Sequence, residues 1–111
     1  MYSQPALGEF EHIVLVAIIQ LGEDVYGVPI LKEIRRRTGR DVAPAAVHIT
    51  LRRLERKRLV TSWLGDPTPE RGGKARRYVK VTRAGLEHLR ATRAVIDQMW
   101  HGLDFGLRGI K

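Results

Sequence analysis

The sequence predicts a mostly helical protein with one small β-hairpin. Three segments with apolar residues at helical spacing come first, two short segments rich in β-branched residues follow, and a fourth, long helical segment comes after them. The chain has 111 residues, of which 43% are hydrophobic. This is the size of one domain and allows a thin but real core.

The first helix is predicted over residues 8–21. Its main apolar stripe repeats at intervals of three and four residues and consists of Phe10, Ile13, Val14, Ala17, Ile18 and Leu21. Leu15, Val16 and Ile19 add apolar side chains on the other sides of this helix. A helix that is apolar nearly all round is buried on more than one side, so we expect a partner subunit to cover part of it.

The second and third helices are predicted over residues 26–38 and 44–58. Gly39 is typical of the residue just after a helix, and Pro44 is tolerated in the first turn of the next one. In the third helix, a stripe of Val47, Leu51 and Leu54 should face the core. The opposite side should then carry Ala45, His48, Ile49, Arg52 and Arg56.

A long basic hairpin is predicted after the third helix. Its strands should cover residues 59–64 and 78–82, because both segments are rich in β-branched and aromatic residues. Gly72 and Gly73 permit a tight turn between them.

The fourth helix should begin after Thr82, a good N-cap, and extend to about residue 103. A seam that resembles a coiled coil follows it, consisting of Leu86, Leu89, Thr92, Ile96, Met99 and Leu103, with Trp100 on its flank. Packing of this helix on its own domain is the alternative; we favour a partner subunit because helices one to three already form a compact unit. Residues 1–82 would form one domain, and residues 83–111 a dimerisation helix with a tail.

The net charge of +8 is concentrated in one part of the sequence. Eleven basic and three acidic residues lie between Arg52 and Arg83, so this segment alone accounts for the whole net charge. A solvated basic face would explain it, but a surface that binds phosphates explains it better.

Three helices followed by a two-stranded hairpin is the element order of a winged helix-turn-helix. A helix fits the major groove of DNA, and a basic hairpin can lie along the neighbouring phosphates. We therefore predict a DNA-binding surface made of Ala45, Ala46, His48, Ile49, Arg52 and Arg53 on the third helix, with Arg71, Gly72, Gly73, Lys74, Arg76 and Arg77 in the hairpin.

Five stretches resemble the PadR-like family of transcriptional regulators. In one-letter code they are LGEFE from Leu7, LGEDVYG from Leu21, LRRLERKRLV from Leu51, GGKARRY from Gly72 and VTRAG from Val81. Two departures concern the third helix: His48 stands where the family usually has tyrosine, and Arg58 where relatives tend to have glycine.

The resemblance implies a homodimer that represses promoters and dimerises through its C-terminal helix. Two-fold symmetry would favour an inverted-repeat operator. Some relatives bind flat aromatic drugs at the dimer interface, so Trp100 is a candidate contact for a small aromatic effector. The predicted interface comprises Phe10, Val14, Ile18, Leu86, Leu89, Ile96, Met99, Trp100 and Leu103.

Other functions find little support in the sequence. There is no cysteine, and the four histidines lack metal-ligand spacing, so we expect no enzyme, metal or cofactor. Trp63 and Tyr78 look isolated, which disfavours RNA binding by base stacking. A winged helix that binds only proteins is the remaining alternative. No apolar run approaches the length of a membrane span, and a soluble cytoplasmic protein is expected.

Overall fold

A computed structural model describes residues 7–66 and 75–103. The elements are α1 (Glu9–Leu21), α2 (Gly27–Thr38), α3 (Pro44–Arg56), β1 (Val60–Leu64), β2 (Arg77–Val81) and α4 (Arg83–Trp100). The predicted class, mostly helical with one hairpin and in the order of a winged helix-turn-helix, is confirmed.

Local signals set most of the helix boundaries. The backbone N–H of Gly8 donates to the carboxylate of Glu11 at the start of α1, and Gly22 ends this helix with a φ of +86°. Gly39 ends α2 in the left-handed conformation. Thr82 caps α4 by accepting the backbone N–H of Gly85 at 3.0 Å.

Two helices end earlier than the sequence suggests. The third was expected to reach residue 58, but α3 ends at Arg56 because Arg58 has a left-handed backbone with a φ of +63°. The fourth was expected to reach residue 103, but α4 ends at Trp100, where His101 leaves the helical region with a ψ of 130°.

The hairpin is antiparallel, with Val60 opposite Val81 and Leu64 opposite Arg77. A further bridge joins Val25, just before α2, to Val79 on the other edge of β2. No pattern in the sequence indicates this contact, which attaches the hairpin to the start of α2.

The core lies between the first three helices and the base of the hairpin. Val47 and Leu54 face it as predicted, while Leu51 is only partly buried and Thr50 is buried in addition. The largest fully buried side chains are Leu15, Ile18, Ile30, Ile34, Leu54, Val14, Val25 and Val47.

Three residues predicted at the interface with a partner belong to this core instead. Val14, Ile18 and Leu89 are 0%, 2% and 6% exposed within the single chain. The apolar spacing identifies buried positions of α1 and α4, but these positions face the chain's own core, where α1 packs against the other helices. They have no surface left for a partner, so we assign them to the core.

Candidate nucleic-acid interface

The buried and exposed positions of α3 follow the period of a helix. Val47, Thr50 and Leu54 are buried, which turns the intervening side chains toward solvent. Ile49 is 53% exposed, although it is a large apolar residue. Five of the six positions predicted on this helix are exposed: Ala45, His48, Ile49, Arg52 and Arg53.

The sixth position, Ala46, is not an outward residue. It is half-buried and packs against the hydrophobic core. Ala46 lies four residues before the buried Thr50 and so on the same side of the helix, at the edge of the buried stripe. We therefore remove it from the predicted contact set.

The two described arginines of the hairpin have different surroundings. The guanidinium of Arg77 donates to the hydroxyl of Ser62 at 2.8 Å. Arg76 instead lies over the ring of Tyr26, with its guanidinium carbon 4.3 Å from the ring centroid. The other predicted hairpin residues, Arg71, Gly72, Gly73 and Lys74, lie outside the described residues.

A short relay joins α3 to both strands. The hydroxyl of Ser62 on β1 donates to the carboxylate of Glu55 on α3 at 2.7 Å, while it accepts from Arg77 on β2. The relay fixes Arg77 relative to the outward face of α3. Sequence reasoning missed it, because nothing in the pattern pairs Glu55 with Ser62.

The aromatic residues of the hairpin are not isolated, contrary to the sequence-based expectation. The ring of Tyr78 meets Trp63 at a centroid distance of 6.1 Å and Tyr26 at 6.0 Å. Tyr78 also covers Gly65, where an added Cβ atom would clash with its ring. Cross-strand pairing of Trp63 with Tyr78, together with the attachment of Val25, brings the three rings together.

A groove lies between the start of α2, the middle of α3 and the hairpin. Its volume is about 370 Å³. Half-buried Leu31 and Leu51 and buried Val79 line its apolar part, while Arg52 and Arg77 supply positive charge.

The arginines at the C-terminal end of α2 form ion pairs within the folded chain. Arg36 and Arg37 both bind the carboxylate of Glu33, and this pairing lowers its pKa. Arg35 pairs with Asp41 at 3.4 Å and donates to the carbonyl of Val42. Within residues 7–66 and 75–103 these cations form ion pairs, whereas Arg52 and Arg53 on the outward face of α3 form none.

A second exposed surface is apolar and lies at the C-terminal end of α4. Ile96, Met99, Trp100 and Leu103 are 50%, 76%, 53% and 53% exposed. On α1, Val16 and Ile19 are also exposed, whereas Phe10 is half-buried against the core. Leu86, at the start of α4, is half-buried. The exposed apolar residues Val95, Ile96, Met99, Trp100 and Leu103 together are called the α4 surface below.

Among the described residues, no cluster of His, Asp or Glu could hold a metal ion. No described helix is long and apolar enough to span a bilayer.

Most of the chain matches the sequence profile of one protein family. Residues 14–91 match the sequence profile described as the Transcriptional regulator PadR-like family. The chain belongs to this family. Members of the PadR-like family are transcriptional regulators and not enzymes.

One similar protein of known structure is itself named a PadR-family regulator. A PadR-like regulator from Eggerthella lenta has a similar structure, with a TM-score of 0.66, 27% identity, and coverage of 85% of this chain and 81% of that one. An uncharacterized protein of Lysinibacillus sphaericus is 29% identical over 106 residues, which are 87% of this chain and 93% of the relative. A MepR variant from S. aureus bound to an oligodeoxyribonucleotide shares the fold, with a TM-score of 0.64, 19% identity, and coverage of 84% of this chain and 60% of that one.

The structure locates the two residues, His48 and Arg58, at which we expect a departure from the PadR-like pattern. His48 is exposed on α3 and lines the groove between α3 and the hairpin. Arg58 occupies a left-handed backbone position with a φ of +63°, a conformation that glycine adopts with the least strain. The second departure therefore carries a conformational cost.

Proposed function

We propose that this PadR-like regulator is a homodimeric repressor that binds duplex DNA sequence-specifically at an inverted-repeat operator. The outward face of α3 carries the proposal, because it places an exposed isoleucine, Ile49, beside two arginines, Arg52 and Arg53. Thymine methyl groups lie on the floor of the major groove and phosphates line its edges, so such a mixed surface suits DNA.

The first part of α3 would read bases. Ala45 and Ile49 would contact thymine methyl groups, and Arg52 would bind a guanine or a phosphate. A good bidentate contact with a base contributes about 1–3 kcal/mol of discrimination. Arg77, with the predicted Arg71 and Lys74, would lie along the neighbouring phosphates. The oligodeoxyribonucleotide bound to the MepR variant supports the use of this fold on DNA.

The α4 surface would join two copies of the chain. Large apolar side chains exposed together on one helix are typical of an interface. Burying one such side chain contributes about 1.5–3 kcal/mol, so several across a two-fold axis could hold a stable dimer. The two α3 helices would then read half-sites whose centres lie about 34–36 Å apart, which favours an inverted repeat.

An effector on this dimer remains a prediction. Trp100 lies on the α4 surface and is 53% exposed, so a flat aromatic compound could stack there. Quenching of tryptophan fluorescence, together with release of DNA, would test it.

The DNA proposal is tested by selecting duplexes from a random pool and measuring their affinity at several salt concentrations. With about 6–10 phosphates neutralised by the dimer, log affinity should fall against log salt with a slope near −0.9 per phosphate. Single strands of the same sequence serve as the control. A slope near zero would contradict the proposal.

The base-reading role of α3 is tested with Ile49→Asp, which should abolish specific binding while circular dichroism shows a folded protein. Ile49→Val is the matched control, because it keeps most of the apolar contact. Equal affinity of both variants for the selected site would show that another surface reads the DNA.

A further inference from the structure

The outer side of the hairpin carries aromatic rings that the proposed duplex-binding surface does not use. Facing residues of a hairpin have their side chains on the same side of the sheet, and the sides alternate along each strand. Val60 and Val79 are buried and mark the inner side. Trp63 and Tyr78 face each other in the register, and each stands an odd number of residues from the buried valine of its own strand. Their rings therefore lie on the outer side.

The rings of Trp63 and Tyr78 form a small platform. Tyr78 lies over Gly65, which has no side chain to displace it, and Tyr26 meets Tyr78 edge-on at an interplanar angle of 87°. The plane of Trp63 is tilted by only 31° from that of Tyr78, so the faces of the two rings point in similar directions. Trp63 is 45% exposed. Aromatic faces of this kind are surfaces on which nucleobases stack.

Cations border the platform. Lys80, two residues after Tyr78, is exposed on the outer side, and Arg76, two residues before Tyr78, lies over the ring of Tyr26. In the part of the chain that the structure describes, neither cation takes part in an ion pair. Neither strand contains a carboxylate. This charge favours a polyanion over an acid-free protein segment as the occupant of the outer side.

We propose that the outer side of the hairpin binds single-stranded nucleic acid by stacking. One base would stack on Trp63 and the next on Tyr78, while Lys80 and Arg76 would bind the phosphates between and beside them. In a duplex the bases stack on one another, so their faces are closed to this platform. The outer side therefore selects unpaired bases, and stacking accepts them with little regard to sequence.

This surface is separate from the one proposed for duplex DNA. The guanidinium of Arg77, which would lie along duplex phosphates, donates to Ser62 on the inner side of the hairpin. The two surfaces thus lie on opposite sides of one sheet, and binding of a single strand does not rest on the proposed function. It also reverses the expectation from the sequence, in which Trp63 and Tyr78 look isolated.

The experiment uses fluorescein-labelled oligothymidylate of about ten nucleotides, which forms no internal base pairs, and the oligouridylate of the same length. Each is titrated with the full-length protein at low salt, and anisotropy gives a Kd that should be about 0.1 mM or lower. DNA and RNA should bind alike within about threefold, because stacking does not depend on the 2′-hydroxyl. In a Trp100→Phe background, tryptophan emission comes from Trp63 alone and should be quenched by the unlabelled strands.

Because a chain with a net charge of +8 attracts any polyanion, variants must separate stacking from charge. Trp63→Leu keeps an apolar side chain but removes the ring, and should weaken the single strand about tenfold. Trp63→Phe, the matched control, keeps a ring and should lose less than about threefold. Lys80→Gln should lower the salt slope by about 0.7, the value of one phosphate of a single strand, whereas Lys32→Gln, at an exposed position on α2, should not.

The selected duplex separates the two surfaces. Trp63→Leu should leave its Kd unchanged within about twofold, and an equal loss for duplex and single strand would overturn the platform. Equal affinity of Trp63→Leu and Trp63→Phe for the single strand, unquenched emission of Trp63, or no binding of either strand at low salt would each overturn it as well. A protein that stacks single strands on Trp63 but binds no duplex would refute the proposed function and leave this site standing.

Discussion

Lys57, the residue after the end of α3, holds the buried carboxylate of Glu11 in the first turn of α1. Its Nζ lies 3.0 Å from Oε1 and 2.8 Å from Oε2 of Glu11, and the backbone N–H of Gly8 donates to the same carboxylate. Burial raises the pKa of Glu11, but the hydrogen bonds from Lys57 and Gly8 and the nearby positive charge outweigh it, so the pKa is lowered. Lys57 therefore has a structural partner and is not a spare cation for DNA.

Glu11→Gln should lower the free energy of unfolding at pH 7 by about 1.5–3 kcal/mol, because a charge-assisted contact with a buried group is lost. The folded pKa of Glu11 lies below its ordinary value of 4.5. Its contribution is therefore complete above that value and is lost as the pH falls through the folded pKa. Urea unfolding at several pH values should show that the stability difference between the parent protein and Glu11→Gln is smaller in acid than at pH 7.

Glu87→Gln is the control for this change. Glu87 is exposed on α4 and lies 3.9 Å from Arg83, so its loss should cost less than about 0.5 kcal/mol. Equal effects of the two substitutions would contradict a special role for the Glu11–Lys57 pair.

Arg58→Gly should stabilise the protein by about 1 kcal/mol, because it relieves a left-handed backbone in a residue with a Cβ atom. Arg56→Gly removes the same charge two residues earlier, but Arg56 is the last residue of α3. That change should destabilise by up to about 1 kcal/mol. Thermal or urea unfolding measures both, and effects of the same sign would refute the conformational explanation.

Ser62→Ala should break the relay between Glu55 and Arg77. The affinity for the selected duplex should fall about three- to tenfold, the equivalent of one hydrogen bond. The salt slope should stay unchanged, since no charge is removed. Thr61→Ala, on the opposite face of the same strand, is the control. If both variants bind like the parent, the relay does not position Arg77.

Ile96→Glu should convert a dimer into a monomer in light scattering and weaken operator binding, because it places a charge within the α4 surface. Gln98→Glu adds the same charge on another side of the exposed helix and should leave the dimer intact. A stable dimer of Ile96→Glu would place the interface elsewhere.

Much of the candidate site could be predicted because it depends on one local period. Once Val47 and Leu54 face the core, the geometry of a helix turns His48, Ile49 and Arg52 outward. The same rule failed for Ala46, which lies at the edge of the buried stripe, where the tightness of packing decides exposure. Arg76 was predicted to bind phosphates like Arg77, but its neighbour Tyr26 comes from a part of the chain fifty residues away.

The sequence by itself determined the helices, the hairpin and their order, because apolar period, caps and glycines act over only a few residues. It also determined the concentration of positive charge around α3 and the hairpin. Tertiary structure decided which apolar residues were core and which were left exposed: Val14, Ile18 and Leu89 are buried, while Ile96 and Met99 are not. It also decided the contacts between distant residues, such as Glu11 with Lys57 and Glu55 with Ser62. Such contacts depend on how the elements pack against one another, and residue spacing along the chain does not indicate that packing.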